Sequence, residues 1–291
     1  MKRIGVLAAM SALCIVAYSQ LLWRVSDGEG KSSYVFGTHH FTPANYLDSI
    51  PGFAAALDDA QCVIVEIEQD SLNSPKVMQK MMKAMIAPAD STLSKLLTPE
   101  DYALVSEVIN NRLKDLGMKV EMCEPLKPSA IVAQMDAARA MREFKSFDVA
   151  AMIDGEVQRR AQAMGKPCKS LETADFQIDL LLGGPLDKQA ADLVDLCRHD
   201  NEADSLSMEL IEAYRLQDLK TVGGIMFSPA LGGGEDYEAL LYARNERWIP
   251  IVSKLMREGS VMMAVGAGHL IGDRGVLQLL RNAGFTVTPV E

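Results

Sequence analysis

Along the chain, alternating and continuous apolar runs separate strand-like from helix-like stretches. Leu22-Trp23-Arg24-Val25 and Tyr34-Val35-Phe36 flank Asp27-Gly28-Glu29-Gly30, a pattern that predicts a β-hairpin. The second strand runs directly into Gly37-Thr38-His39-His40. A short helix over 53–57 precedes residues 62–67, where five of six residues are apolar and rich in Val and Ile, as suits a strand buried on both faces. The middle of the chain reads as helical. A methionine-rich helix is expected over 74–86, and Thr98-Pro99-Glu100-Asp101 supplies an N-cap, a proline at the first helical position and early acids for a helix reaching about Leu116 and stopping at Gly117. Further helices are predicted over 128–142, 153–164, 187–199, 204–220 and 236–257, with a short strand over 167–171 ending at Glu172. The chain closes with a strand over 261–265, a loop over 266–272, a helix over 273–283 and a strand over 285–290. Strands separated by helices imply an α/β fold: a central, mostly parallel sheet flanked by helices, with the central helices as an insert or cap.

Residues 1–19 read as a secretory signal and stand apart from the fold. Lys2 and Arg3 give a positive start, an apolar run extends from Ile4 to Tyr18, and Ala17 and Ser19 are the small residues before a cut at Gln20. The apolar run is short for a membrane span. The expectation is an exported protein, periplasmic or extracellular, with no stable membrane insertion after cleavage. No Pro/Gly/Ser-rich linker divides residues 20–291, which are expected to form a single domain.

Composition narrows the partners. The net charge is −10, and loss of Lys2 and Arg3 would take it to −12. No Lys/Arg run interrupts that balance, which argues against nucleic acid. Export permits disulfides, and Cys62, Cys123, Cys168 and Cys197 allow three pairings. Cys62 lies in an apolar run and reads as a buried small hydrophobe, whereas Cys123 and Cys168 lie in polar, turn-like segments and form the first pair to test. With no Cys-x-x-Cys, a zinc ribbon or thioredoxin-type site is not expected. Met78, Met81, Met82 and Met85 share helical spacing and are expected to form a core-facing stripe.

Two of the four histidines follow a glycine by three residues, each just past an expected strand: Gly37-x-x-His40 and Gly266-x-x-His269. In α/β sheets ligands bind outside the carboxyl ends of strands, and glycine there lets the backbone turn sharply. Glu66 ends a buried apolar strand, where a carboxylate wants a partner or a metal. Two imidazoles and Glu66 could hold a divalent cation with open positions, with Glu172 as a further ligand or general base. Alternatively, a loop histidine is simply exposed, and Glu66 pairs with Arg244 or caps a helix. His39 and His199 read as surface residues. Gly232-Gly233-Gly234 reads as a flexible loop, and neither a Gly-x-Ser-x-Gly elbow nor His-Glu-x-x-His occurs.

These segments, in order, resemble the TraB/GumN family, which includes the Tiki proteins. The resemblance rests on Leu22-Trp23-Arg24-Val25, Phe36-Gly37-Thr38-His39-His40, Val65-Glu66, Leu171-Glu172-Thr173 with Gln177, Arg244-Asn245-x-x-Trp248, and Val265-Gly266-Ala267-Gly268-His269-Leu270-x-Gly272-x-x-Gly275. It covers nearly all of the chain after residue 20, with little signal over 70–150. It implies a fold related to erythromycin-esterase-like and ChaN-like proteins, with both Gly-x-x-His segments at one site. Tiki members are described as metal-dependent proteases favouring manganese or cobalt. Carried over, the resemblance makes His40, His269 and Glu66 metal ligands, with zinc or iron as other candidate ions. It places Glu172, Gln177, Arg244 and Asn245 around substrate or metal. In this scheme Glu66 or Glu172 takes a proton from water and Arg244 steadies the oxyanion, on a peptide or protein substrate. At His39 the family usually carries an aliphatic residue. The rivals are a non-catalytic peptide- or pheromone-binding protein and an iron- or haem-binding one.

Overall fold

A computed structural model of the chain describes residues 20–144, 148, 151–228 and 237–290. The expected secretory segment and Gly232-Gly233-Gly234 lie outside the described residues. β1 (Leu22–Ser26) and β2 (Ser32–Thr38) form the predicted hairpin, with Leu22 opposite Phe36. In its loop Asp27 Oδ1 accepts the Glu29 N–H at 2.9 Å, and Gly28 and Gly30 take φ of 84° and 91°, which glycine adopts without strain.

β3 (Cys62–Val65), β4 (Cys168–Ser170), β5 (Val261–Gly266) and β6 (Thr286–Pro289) complete a six-stranded sheet of order β4-β3-β5-β2-β1-β6. Its first four strands are mutually parallel, and β1 and β6 extend it antiparallel. β5 is buried at all six positions, which accounts for its unbroken apolar run. The register sets Val65 beside both Ala264 and Ser170, and Thr38 beside Gly266. All four parallel strands therefore end along one edge of the sheet, and residues 40, 66, 172 and 269 lie just beyond it.

The helices are α1 (Phe53–Asp59), α2 (Gln69–Leu72), α3 (Pro75–Met85), α4 (Leu93–Leu96), α5 (Pro99–Arg112), α6 (Val120–Cys123) and α7 (Pro128–Glu143). They continue with α8 (Ile153–Ala163), α9 (Ala174–Leu182), α10 (Leu186–Arg198), α11 (Asp200–Arg215), α12 (Leu219–Met226), α13 (Ala243–Glu258) and α14 (Val276–Asn282). The protein is thus α/β, a mostly parallel mixed sheet flanked by helices. One hydrophobic core joins the sheet to Phe53 of α1, Val157 of α8, Trp248 of α13 and Leu280 of α14. A second core is purely helical, built from Leu93, Ile109, Ile131 and Leu193, and corresponds to the expected insert.

Several expectations need correcting. The strand expected over 62–67 ends at Val65, which frees Glu66 to turn into the sheet edge. The single helix expected over 204–220 is two, because Gln217 takes a φ of 58° and Asp218 accepts the Thr221 N–H to start α12. α9 was not expected at all, although Thr173 caps it by accepting the Phe176 N–H. The methionine stripe of α3 does not face a core: Met78 is 53% exposed and Met82 69% exposed. Val77, Ala84 and Met85 pack the helix against Ala130 of α7 and Ile178 and Leu182 of α9, and Lys80 pairs with Asp175 of α9, while Met78 and Met82 stay exposed. All four described cysteines are free; Cys123 belongs to the helical core and Cys168 packs against the sheet core, so the pair suggested for testing is not brought together.

Candidate functional site

The two Gly-x-x-His turns are packed on each other. A Cβ at Gly37 would lie 3.1 Å from Ala267 Cα, so the close approach of the end of β2 to the turn after β5 favours a residue without a side chain. That turn, the 3₁₀ segment Ala267–Leu270, carries His269 inward, where its side chain is 4% exposed. His40, on the turn after β2, faces the cavity mouth with its side chain 62% exposed. Glu66 enters between them. A Cβ at Gly266 would stand 3.4 Å from Glu66 Oε1, 3.4 Å from His40 Nε2 and 3.6 Å from His269 Cδ2, so the three expected ligands converge over that glycine.

Each charged group at this centre has a partner. Glu66 Oε1 accepts the Gly266 N–H at 2.8 Å, and Glu66 Oε2 accepts from Arg244 Nη2 at 2.5 Å. Arg244 sits at the start of α13, where Nη1 donates to Leu240 O at 2.8 Å and to His269 Nε2 at 3.1 Å. Its Nε and Nη2 donate to Glu172 at 2.9 and 2.8 Å. Trp248 lies one turn along α13, under the guanidinium at 4.9 Å, and its Nε1 donates to Glu172 Oε1 at 3.2 Å. Gln177 Nε2 donates to Glu172 Oε2 at 3.3 Å. Glu172 is therefore committed to holding Arg244, while Glu66 faces the cavity.

The imidazoles are set in opposite states. Asn245 Nδ2 donates to the carbonyls of His269 and Arg274, which turns its Oδ1 toward His269 Nδ1 at 2.7 Å. His269 therefore carries its proton on Nδ1 and presents a lone pair at Nε2. Burial pushes His269 down to about 3, so it is neutral at physiological pH. His40 is different: the charge and hydrogen bond of Asp154, whose Oδ2 is 3.1 Å from Nδ1, raise it to about 9. Asp154 is itself anchored by the Thr38 hydroxyl at 2.6 Å. Burial alone would raise Glu66; the adjacent imidazoles, the Arg244 guanidinium and the Gly266 N–H outweigh it and hold the carboxyl down to about 2.

Of the seven expected site residues, His40, Glu66, Gln177 and Arg244 line a cavity of about 370 Å³, and His269, Glu172 and Asn245 stand behind them as supports. Sequence reasoning missed Asp154, which orients His40 from the first turn of α8. An acid there carries no signal beyond the ordinary preference of helix N-termini for acids. His39, expected on the surface, is instead half-buried. Its ring lies 5.4 Å from that of Tyr214 and its Nδ1 is 3.0 Å from Thr42 Oγ1, so it pins the turn that carries His40. Burial lowers His39 to about 4. His199 is exposed as expected.

Among the described residues, no group of three or more His, Cys, Asp and Glu side chains is spaced to hold a metal ion as it stands. The donor chemistry nonetheless suits one. Each imidazole engages an oxygen through Nδ1 and leaves Nε2 toward Glu66, the arrangement in which supporting groups orient metal-binding histidines. Arg244 Nη1, on His269 Nε2, is the cation now filling part of that space.

Fold and site thus define an α/β protein whose two glycine-histidine turns enclose a buried Glu–Arg pair at the carboxyl edge of a parallel sheet. The sequence profile of the TraB/PrgY/gumN family matches residues 21–289, and the chain belongs to that family. It is 24% identical over 258 residues to the uncharacterized protein YbaP of Shigella flexneri, covering 86% of this chain and 88% of that one. No solved structure matches it significantly.

Proposed function

We propose that the protein is an exported, metal-dependent hydrolase acting on the amide bonds of a peptide or protein, with its centre at His40, His269 and Glu66. The observation that carries this reading is the convergence of Glu66 Oε1, His40 Nε2 and the His269 ring on the space over Gly266. Those three residues would hold a divalent cation, manganese or cobalt by the family resemblance, with zinc or iron as other candidates. Such an ion, when bound, polarises a carbonyl and lowers the pKa of water. Loading the site requires the proton on His40 to leave and Arg244 Nη1 to release His269 Nε2.

The chain's own residues supply the remainder. Glu66 receives the proton of the attacking water, and Arg244, freed from His269 but still held by Glu172, donates to the developing oxyanion. Glu172, Trp248 and Gln177 keep the guanidinium in place, and Asp154 and Asn245 fix the two rings. The test is cleavage of a defined peptide mixture by the purified protein, read by mass spectrometry with Mn²⁺ or Co²⁺ and with a chelator. Cleavage that needs the ion and disappears in His40→Ala and His269→Ala supports the reading. Cleavage that persists in both variants contradicts it.

A second reading has its own observation. Arg244 already neutralises Glu66 and caps His269 without any ion, as a metal-free peptide-binding cleft would require. In that case chelation leaves peptide affinity unchanged.

A further inference from the structure

The candidate site does not end at its polar wall. Leu72, Gln177, Leu180 and Leu181 line both it and a second, neighbouring cavity of about 730 Å³, within the size range of small-molecule sites. The second cavity lies among α3, α7, α9 and α10; apolar side chains such as Met81, Met85, Ala133 and Ile178 make up most of its wall, with Asp136, Lys188 and Asp192 among the polar ones. Leu181 at the neck is 60% exposed and Met81 37% exposed, apolar area that a soluble protein leaves open at a binding groove.

The chemistry of the walls decides what fits. They are faces of helices, whose main-chain groups are bonded within the helices. At the end of α9, where carbonyls would be free, Lys127 Nζ donates to Leu182 O at 2.7 Å and Gln189 Nε2 to Gly184 O at 2.7 Å. Most polar side chains on the wall are already engaged, Lys188 with Asp192, Asp136 with Arg139, Ser129 with Gln189 and Gln177 with Glu172, so an extended peptide would find few partners for its N–H and C=O groups, at the desolvation cost of each one left unpaired. An unbranched aliphatic chain has no such groups. Methionine side chains repack around chains of different length.

We propose that this groove takes the aliphatic chain of an acyl substrate, whose carbonyl then sits in the neck beside Glu66 and Arg244. The placement of the carbonyl rests on the hydrolase reading; the occupancy of the groove does not. The reaction would be hydrolysis of an acyl amide. Water oxygen bonds to the acyl carbon, the carbon–nitrogen bond breaks, and both water protons end on the departing nitrogen, giving an ammonium and a fatty carboxylate.

The test uses binding, so that it stands whether or not the protein turns over. Dodecanoate and butanoate are titrated into the full chain by calorimetry. Each buried methylene strengthens binding roughly fourfold, and dodecanoate is expected to bind at least about a hundredfold more tightly than butanoate. Ala133→Trp, which fills the groove from α7, and Leu181→Gln at the neck should each erase most of that difference, and either variant suffices if the other fails to fold. Dodecanoate binding without sedimentation on phosphatidylcholine vesicles assigns the chain to a soluble acyl compound. Sedimentation that Ala133→Trp abolishes assigns it to a lipid. Equal affinity for the two acids, a difference that survives both variants, or tighter binding of an apolar peptide than of dodecanoate overturns the proposal. Loss of metal-dependent cleavage with dodecanoate binding intact would fault the hydrolase reading alone.

Discussion

Two clusters of buried and half-buried charge hold this protein, and they are balanced differently. In the helical layer Arg112, Arg139 and Arg142 meet Asp136, Asp200 and Asp204, so each sign is matched where α5, α7 and α11 cross. At the sheet edge Glu66, Glu172 and Asp154 meet one buried guanidinium, Arg244, and the His40 imidazolium, with Arg247 reaching Glu172 from the exposed side at 3.5 Å. The first cluster neutralises itself and ties helices together. The second is balanced only while His40 keeps its proton, and loss of that proton leaves it able to accept a further cation. A network matched by fixed charges serves structure; one whose balance hangs on a single proton, opening on a cavity, serves chemistry.

The comparison is broken most directly by removing its central arginine. Arg244→Ala strands two buried carboxylates and should lower the unfolding free energy by about 3–5 kcal/mol in urea titrations. Arg112→Met should cost only about 1–2 kcal/mol, because Arg139 and Arg142 still serve Asp200 and Asp204. Equal losses would show that the two clusters do not differ. Next in size, Asp154→Asn should weaken metal affinity by about ten- to a hundredfold while the fold stands, as measured by competition with a metal dye.

pH sharpens the same contrast. His269 and His39 are held neutral by burial, at about 3 and about 4 against an ordinary 6.5, so the unfolded chain binds more protons than the folded one in that interval. Stability therefore rises with pH from about 4 to 6.5, by up to about 1.4 kcal/mol per pH unit for each ring, and His39→Asn should flatten that slope. His40 works in reverse. Raised to about 9, it stabilises the fold below 6.5 and loses that contribution as pH climbs through 9, so His40→Asn should flatten the alkaline side instead. Gly266→Ala should change stability by less than about 1 kcal/mol, since its φ of −50° suits alanine, yet its Cβ would occupy the space shared by Glu66 and His40 and remove metal binding. Smallest of all, Met82→Gln on the uncovered face of α3 should move stability by no more than about 0.5 kcal/mol.

Much of the sheet edge was legible because close packing leaves marks in sequence. The Gly-x-x-His spacing reflects a close backbone approach that favours glycine at 37, and the apolar run before Glu66 points to a buried carboxylate. The supports were harder to read. Asp154 meets a histidine 114 residues away, a pairing no local pattern encodes. The break at Gln217 is made by a left-handed residue that is not glycine, so punctuation gave no sign of it. The methionines of α3 follow a core-like period, but Met81 and Met85 line a groove while Met78 and Met82 are exposed; periodicity reports an apolar stripe and not what lies against it.

The central claim is that His40, His269 and Glu66 share one metal. Elemental analysis of the purified protein after incubation with Mn²⁺ and desalting tests it, with His40→Ala and His269→Ala alongside. About one divalent ion per chain is expected, lost in both variants while their thermal unfolding remains cooperative. No bound metal, or metal retained in both variants, would contradict it and leave Arg244 as the cation that serves Glu66.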